Sequence, residues 1–164
     1  MAAVDYFLMI DGIPGDSQDE KHRNEIDVES WSFGASNSSA GGPGGGGGVG
    51  AGKVDFSDLV FTARVSKASP QLMLACAQGK HIQNAVLTAR RTGGTEFEFL
   101  KLKLSDVAVA SFFTGDDQED EGGPVDSVAL GFSEIEFEYR SMKPDGSVGE
   151  SVSTGWDVKQ SKEI

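Results

Sequence analysis

The stretch "TEFEFLKLKLSDVAVASFF", residues 95–113, alternates apolar and polar side chains along most of its length. Successive side chains of a strand point to opposite faces, so a period of two marks a half-buried strand, whereas a helix repeats every 3.6 residues. The alternation slips twice. Phe97 and Phe99 share one parity while Leu102 and Leu104 share the other, and a second slip at Ser105–Asp106 precedes "VAVASFF". An unabsorbed slip would turn the apolar set to the wrong face, so each slip predicts a bulge.

The same period runs through most of the chain. Tyr6, Leu8 and Ile10 alternate with Phe7 and Met9, which makes the first strand apolar on both faces. After a polar loop, "DGIPGDSQDEKHRN" (11–24), Ile26, Val28, Trp31 and Phe33 mark a second strand. "KVDFSDLVFTARV" (53–65) and "IQNAVLTARRT" (82–92) follow. "VALGFSEIEFEYR" (128–140) sets Ile135, Phe137 and Tyr139 against Glu134, Glu136 and Glu138, and "GWDVKQ" (155–160) closes the chain. One segment, "SPQLMLACAQGK" (69–80), reads as helix over about 70–78. Ser69 suits the N-cap, Pro70 the first helical position and Gly79 the left-handed stop. Its interior, Leu72 to Ala77, is apolar nearly all round and needs cover from a sheet or a neighbouring subunit. The expected fold class is mainly β, with one short flanking α-helix and sheets closed as a barrel or sandwich.

A chain of 164 residues is expected to form one domain, 1–164, and a domain of that size buries roughly 68–70% of its unfolded surface without disulfide or metal staples. Its single cysteine, Cys76, excludes an internal disulfide and sits among apolar neighbours with no activating cation in sequence, which fits a reducing cytoplasm at the time of folding. A net charge of −12 argues against nucleic acid as a partner, because neutralising phosphates takes clustered Lys and Arg. No apolar run approaches the ~20 residues needed to span a bilayer, and "MAAVDYFLMIDG" carries Asp5 in place of a basic leader. Neither membrane insertion nor a cleaved signal peptide is expected.

Candidate sites fail one by one. In "GGGGGVGAGKV" (44–54), Gly47, Gly52 and Lys53 match the spacing of a phosphate-binding loop. Such a loop must leave a strand and open a helix so that backbone N–H groups face the phosphates. This tract, with nine glycines in residues 41–52, instead follows loop and leads into a strand, and Val54 stands where Ser or Thr would hold magnesium. A flexible extended loop over about 37–52 is the simpler reading. The acidic loop at about 115–124, "GDDQEDEGG", imitates a calcium loop from Asp117, but Val128 stands at its twelfth position where a bidentate Glu belongs. His22 and His81 lie in unrelated segments without Cys partners, and no G-x-S-x-G elbow occurs. No cofactor, no metal and no catalytic activity are expected. Apolar surface left over by the two-faced strands and the helix points to a protein interface.

Two long blocks carry a resemblance. "DYFLMIDGIPGDSQDEKHRNEIDVESWSFG" (5–34) and "KVDFSDLVFTARVSKASPQLMLACAQGKHI" (53–82) resemble the Hcp family, the haemolysin-coregulated proteins that build the inner tube of bacterial type VI secretion systems. "RRTGG" (90–94), Phe132, Ile135 and Tyr139, and the closing "GWDVKQ" are also similar. The resemblance implies a two-sheet, β-barrel-like domain that assembles as a hexameric ring. Rings would stack into a tube, expelled from the cytoplasm within a contractile sheath, tipped by a spike and able to carry small effectors in its lumen. The implied partners are therefore the chain itself, the spike and sheath proteins, and secreted effectors. An alternative is a ring-shaped effector receptor or chaperone that is secreted without forming long tubes. Alternation around "ESWSFG" sends Trp31 and Phe33 one way and Ser30 and Ser32 the other, which makes the two serines candidate lumen-facing, cargo-facing residues. Ser38, Gly42, Gly47 and Gly50 of the extended loop are the candidate inter-subunit contacts.

Overall fold

The computed structural model describes residues 3–38, 53–93, 96–119 and 121–164. Among these the elements are β1 (Val4–Ile10), β2 (Ile26–Val28), β3 (Ser30–Ser32), β4 (Ala35–Asn37), β5 (Val54–Phe56), β6 (Leu59–Arg64), α1 (Ala68–Gln78), β7 (Ile82–Arg91), β8 (Phe97–Gly115), β9 (Val125–Gly131), β10 (Glu134–Met142), β11 (Val148–Asp157) and β12 (Lys162–Glu163). One sheet, A, runs β12-β11-β10-β8-β7-β1-β2. A second, B, joins β3, β6, β9 and the far half of β8, while β4 and β5 form a separate hairpin. Apolar side chains from both sheets meet between them, with Leu8, Phe61, Leu87, Leu102, Leu104, Val128 and Leu130 all fully buried.

The stretch 97–113 is one strand that serves both sheets. Its first slip is a bulge: Ala89 pairs with Leu100 and Arg90 with Glu98, which leaves Phe99 without an opposite residue. The second slip is the crossing point. Up to Val107 the strand pairs with β7, and Leu100–Ser105 also pair with β10; from Ala108 the partner is β9. Asp106, between the two regimes, adopts a left-handed φ of 55°, a conformation that Asp tolerates better than most residues. Its carboxylate holds the bend in place by accepting from His81 Nδ1 (2.7 Å), Lys159 Nζ (2.7 Å) and Ser133 Oγ (2.5 Å), three residues that lie outside the strands. Those bonds, Lys159 first and Ser133 second, hold the Asp106 carboxyl below its ordinary range.

The helix begins two residues before the expected start. Its N-cap is Lys67, which makes no side-chain cap; Ser66 Oγ takes the Ala68 N–H at 3.2 Å instead. Ser69, expected at the N-cap, is buried inside the first turn, where its hydroxyl accepts from the Ser66 N–H at 3.0 Å and donates to the buried carboxylate of Asp126. The buried carboxylate accepts the Ser69 hydroxyl proton and so draws that side chain inward, away from the capping position. Gly79 ends the helix at φ 61° as expected. The inner face packs Leu72 and Ala75 on β8, whereas Met73 and Leu74 stay exposed.

Two expectations are corrected at the N-terminal strands. Ile26–Phe33 does not form one strand: β2 pairs with β1 in sheet A and β3 with β6 in sheet B, the chain changing sheets at Glu29. The second apolar face of β1 is also not left for a partner. Residues 11–25 fold back over it as a strap, closed by Gly15 N–H to Asn24 O (2.8 Å) and Ser17 N–H to Glu25 O (3.0 Å). Phe7 thereby becomes 4% exposed. The strap comes so close to itself that a Cβ on Gly15 would lie 2.5 Å from Glu25 O and 2.7 Å from Ile26 Cα, both backbone atoms. Gly15→Ala is therefore expected to cost about 1–3 kcal/mol, the range for overpacking a site that cannot yield. Urea unfolding checks this, and a change below the noise would mean that the strap yields freely.

Candidate functional site

The core face of sheet A does not stop where the core stops. Cross-strand rows run Leu104–Ile135–Trp156, Leu102–Phe137–Thr154 and Leu100–Tyr139–Val152 across β8, β10 and β11. Exposure climbs along them. Leu102 is 0% exposed but Phe137 39%, and Leu100 is 8% exposed while Tyr139 is 44% and Val152 59%. On the opposite face Glu136 and Glu138 stand across from Lys103 and Lys101, the oppositely charged pairs expected of a wet surface.

The strip opens into a groove of about 760 Å³ between the β4–β5 hairpin and β10–β11. Phe33, Val54, Phe56, Ile135, Phe137 and Trp156 line it. The Trp156 Nε1 donor is buried and has no hydrogen-bond partner among the described residues, a position that usually calls for one. Apolar area of this extent, edged by an orphan donor, is incomplete as a finished surface.

The sequence-derived candidates fall in three places. Ser30 and Ser32 lie exposed on the outer face of β3, Trp31 between them turning inward against the core. Ser30 Oγ shares a hydrogen bond of 2.6 Å with Thr62 Oγ1, and Ser32 stands opposite Val60. Ser38 closes the neck of the extended loop. Its hydroxyl accepts from Lys53 N–H at 3.2 Å, and its own N–H donates to Lys53 O at 3.3 Å. Gly42, Gly47 and Gly50 lie outside the described residues. The serines and the apolar strip are thus separate surfaces, one on each sheet. The β11 half of the strip, Val152 and Trp156, was not apparent in the sequence, because "ESVSTGW" interleaves it with serine, threonine and glycine; only the even-numbered parity hints at it.

Groups that could do chemistry are engaged otherwise. A Ser–His–carboxylate relay needs the hydroxyl on the imidazole, yet Ser133 and His81 both bind Asp106 and form a fan around one acid. His22 gives both ring nitrogens to carboxylates. Among the described residues no cluster of three or more His, Cys, Asp or Glu side chains is arranged to hold a metal ion, and no helix is long and apolar enough to cross a membrane.

Comparison with known proteins places this architecture. The family model described as "Type VI secretion system effector, Hcp" matches residues 7–139. Protein hcp1 of Pseudomonas aeruginosa is 42% identical over 160 residues, covering 96% of this chain and 97% of that protein. The crystal structure of Hcp1 from Salmonella typhimurium is 35% identical over all of both chains, with a TM-score of 0.78. A structure titled as a type six secretion system protein is 27% identical over 99% of this chain and 100% of that one, with a TM-score of 0.90. A barrel built around one sheet-crossing strand, flanked by a single helix and matched over its length by these relatives, belongs to the Hcp family, the tube proteins of type VI secretion.

Proposed function

We propose that this Hcp chain works as a homohexameric ring that stacks into the secretion tube. The observation that carries this reading is the core face running on, uncovered, through Phe137, Tyr139 and Val152. A single copy with net charge −12 exposes this strip to water, and a neighbouring copy that covers it gains burial on the order of 25 cal/mol per Å² to set against charge repulsion. A head-to-tail contact between two different patches closes into a ring when its rotation divides the circle.

In such a ring the outer face of sheet B is the wall of the lumen. Its register places Ser30, Ser32, Val60, Thr62, Ser111, Ser127 and Ala129 on that face. The same rows end on Phe113 and Arg64; the rest of the face is small and uncharged, in a chain with 26 acidic residues, as suits a channel through which varied effectors pass. The extended loop, held by the β4–β5 hairpin and carrying Gly42, Gly47 and Gly50, reaches the adjacent protomer or the next ring. Sheath, spike and effectors are the remaining partners, and the protein leaves the cell in the expelled tube.

Native mass measurement tests the ring. The wild type is expected at six times the chain mass at micromolar concentration. Val152→Asp, which places a charge on the most exposed row of the strip, is expected to run as a folded monomer with unchanged circular dichroism. A wild-type monomer, or a Val152→Asp hexamer of full stability, contradicts the assignment. Negative-stain images of the wild type distinguish tubes from rings that stay single.

A further inference from the structure

The strap over Phe7 holds a histidine in an unusual setting. His22 is 7% exposed, and its ring lies parallel to that of Phe7, 4.4 Å between centroids and 5° between planes. Nδ1 is 2.9 Å from Glu25 Oε2, within the strap, and Nε2 is 2.6 Å from Glu98 Oε1, on β8. Carboxylates only accept hydrogen bonds, so the ring satisfies both contacts only when it carries two protons. We propose that residues 11–25 form a pH-sensitive strap, latched over the outer face of sheet A by an imidazolium that donates to Glu25 and Glu98 at once, and freed from one of them when the ring becomes neutral.

A neutral imidazole keeps one N–H and turns a lone pair toward the other carboxylate at hydrogen-bond distance, which is repulsive. Of all side chains, imidazole is the one whose ordinary titration falls between pH 5 and 8. The sign follows directly: the second donated bond is present at low pH and lost as pH rises. On the acid side the latch ends when its carboxylates are protonated. Burial pushes the Glu25 carboxyl up, against the pull of its bond to His22, so this begins above the ordinary range for Glu.

The surrounding charges do not supply a substitute. From the strap, Asp19 and Glu25 face the ring and Lys21 reaches Glu96 at 3.9 Å; from β8, Glu98 has Lys101 at 3.9 Å; from β1 and β7, Asp5 and Arg90 stand beside Phe7, and from β2 Asp27, another acid, stands opposite it. Arg90 is taken by Asp19 through two bonds of 2.7 and 2.9 Å. That pair keeps its charges throughout the imidazole range, since Asp19 is pulled down to about 2. The strap therefore stays pinned at Asp19 while its His22 end releases.

Trypsin reads this device directly, because Lys21 and Arg23 flank His22 and are both exposed. Cleavage of the full-length protein at these two sites is measured from pH 6 to 8.5, each rate divided by that of the free 11–25 peptide. The wild-type ratio is expected to rise on the order of tenfold, the loss of one charge-assisted hydrogen bond. Glu98→Gln gives neutral His22 an amide donor, so the strap should stay closed and the ratio low and flat. In His22→Gln the ratio should be high and flat. A flat wild-type ratio, a His22→Gln protein that keeps the wild-type slope, or cleavage that merely tracks global unfolding by tryptophan fluorescence overturns the proposal.

Discussion

Arg90→Ala is expected to destabilise the chain by about 3–5 kcal/mol, the cost of removing one partner from a buried ion pair. Arg90 is 4% exposed and its guanidinium forks onto both oxygens of Asp19, with Asp5 at 3.5 Å and Glu96 at 3.7 Å. Alanine takes the shared cation from those three carboxylates, of which Asp19 is the most buried, and from the Phe7 ring, whose centroid lies 4.8 Å from the guanidinium carbon. At 2–4 °C per kcal/mol for a chain of this size, the melting temperature should fall by roughly 6–20 °C at fixed protein concentration. The variant also changes the acid limb. Asp19 is held near 2 first by its hydrogen bonds to Arg90, so the stability it adds is present above the ordinary Asp range and lost as pH falls from about 4 toward 2. Arg90→Ala should lack that component, and the double variant Arg90→Ala/Asp19→Ala should recover part of the loss. Equal melting temperatures for Arg90→Ala and wild type would show that the strap does not depend on this pair.

Phe61→Ala is expected to cost a similar 3–5 kcal/mol, for a different reason. Phe61 is 1% exposed at the centre of sheet B, paired with Trp31 on β3 and Val128 on β9, and its truncation leaves a cavity in the core. Val60, one residue earlier, points to the other face at 38% exposure, and Val60→Ala should change stability by less than about 0.5 kcal/mol. Chemical denaturation of the two variants side by side tests the facing of β6. Comparable losses would mean that the strand is turned over or covered on both sides.

Where local physics decides, the fold was legible in the chain. Both parity slips of 97–113 became backbone events, a bulge at Phe99 and the crossing at Asp106. Gly79 stopped the helix where a left-handed residue was expected, and Glu134, Glu136 and Glu138 fell opposite Ile135, Phe137 and Tyr139. The two-faced apolarity of β1 was real, but its meaning was not readable. Asp19 and His22 cover Phe7 by pairing with Arg90 and Glu98, 71 and 76 residues away, and no local period reports such a pairing. Ser69 looked like a cap because composition cannot reveal that Asp126 lies buried beneath it. Along the apolar strip the β10 half was visible as an alternating strand, whereas the β11 half was hidden among small residues. Its importance comes from standing next to Phe137 and Tyr139, which only the register shows.

The nineteen residues of β8 belong to both walls of the barrel, and this bears on how the molecule carries load. Two sheets held only by greasy contact can shear past one another. Here any thrust on one wall travels to the other along covalent backbone, through a corner clamped by Asp106, and the particle yields as a single stiff body.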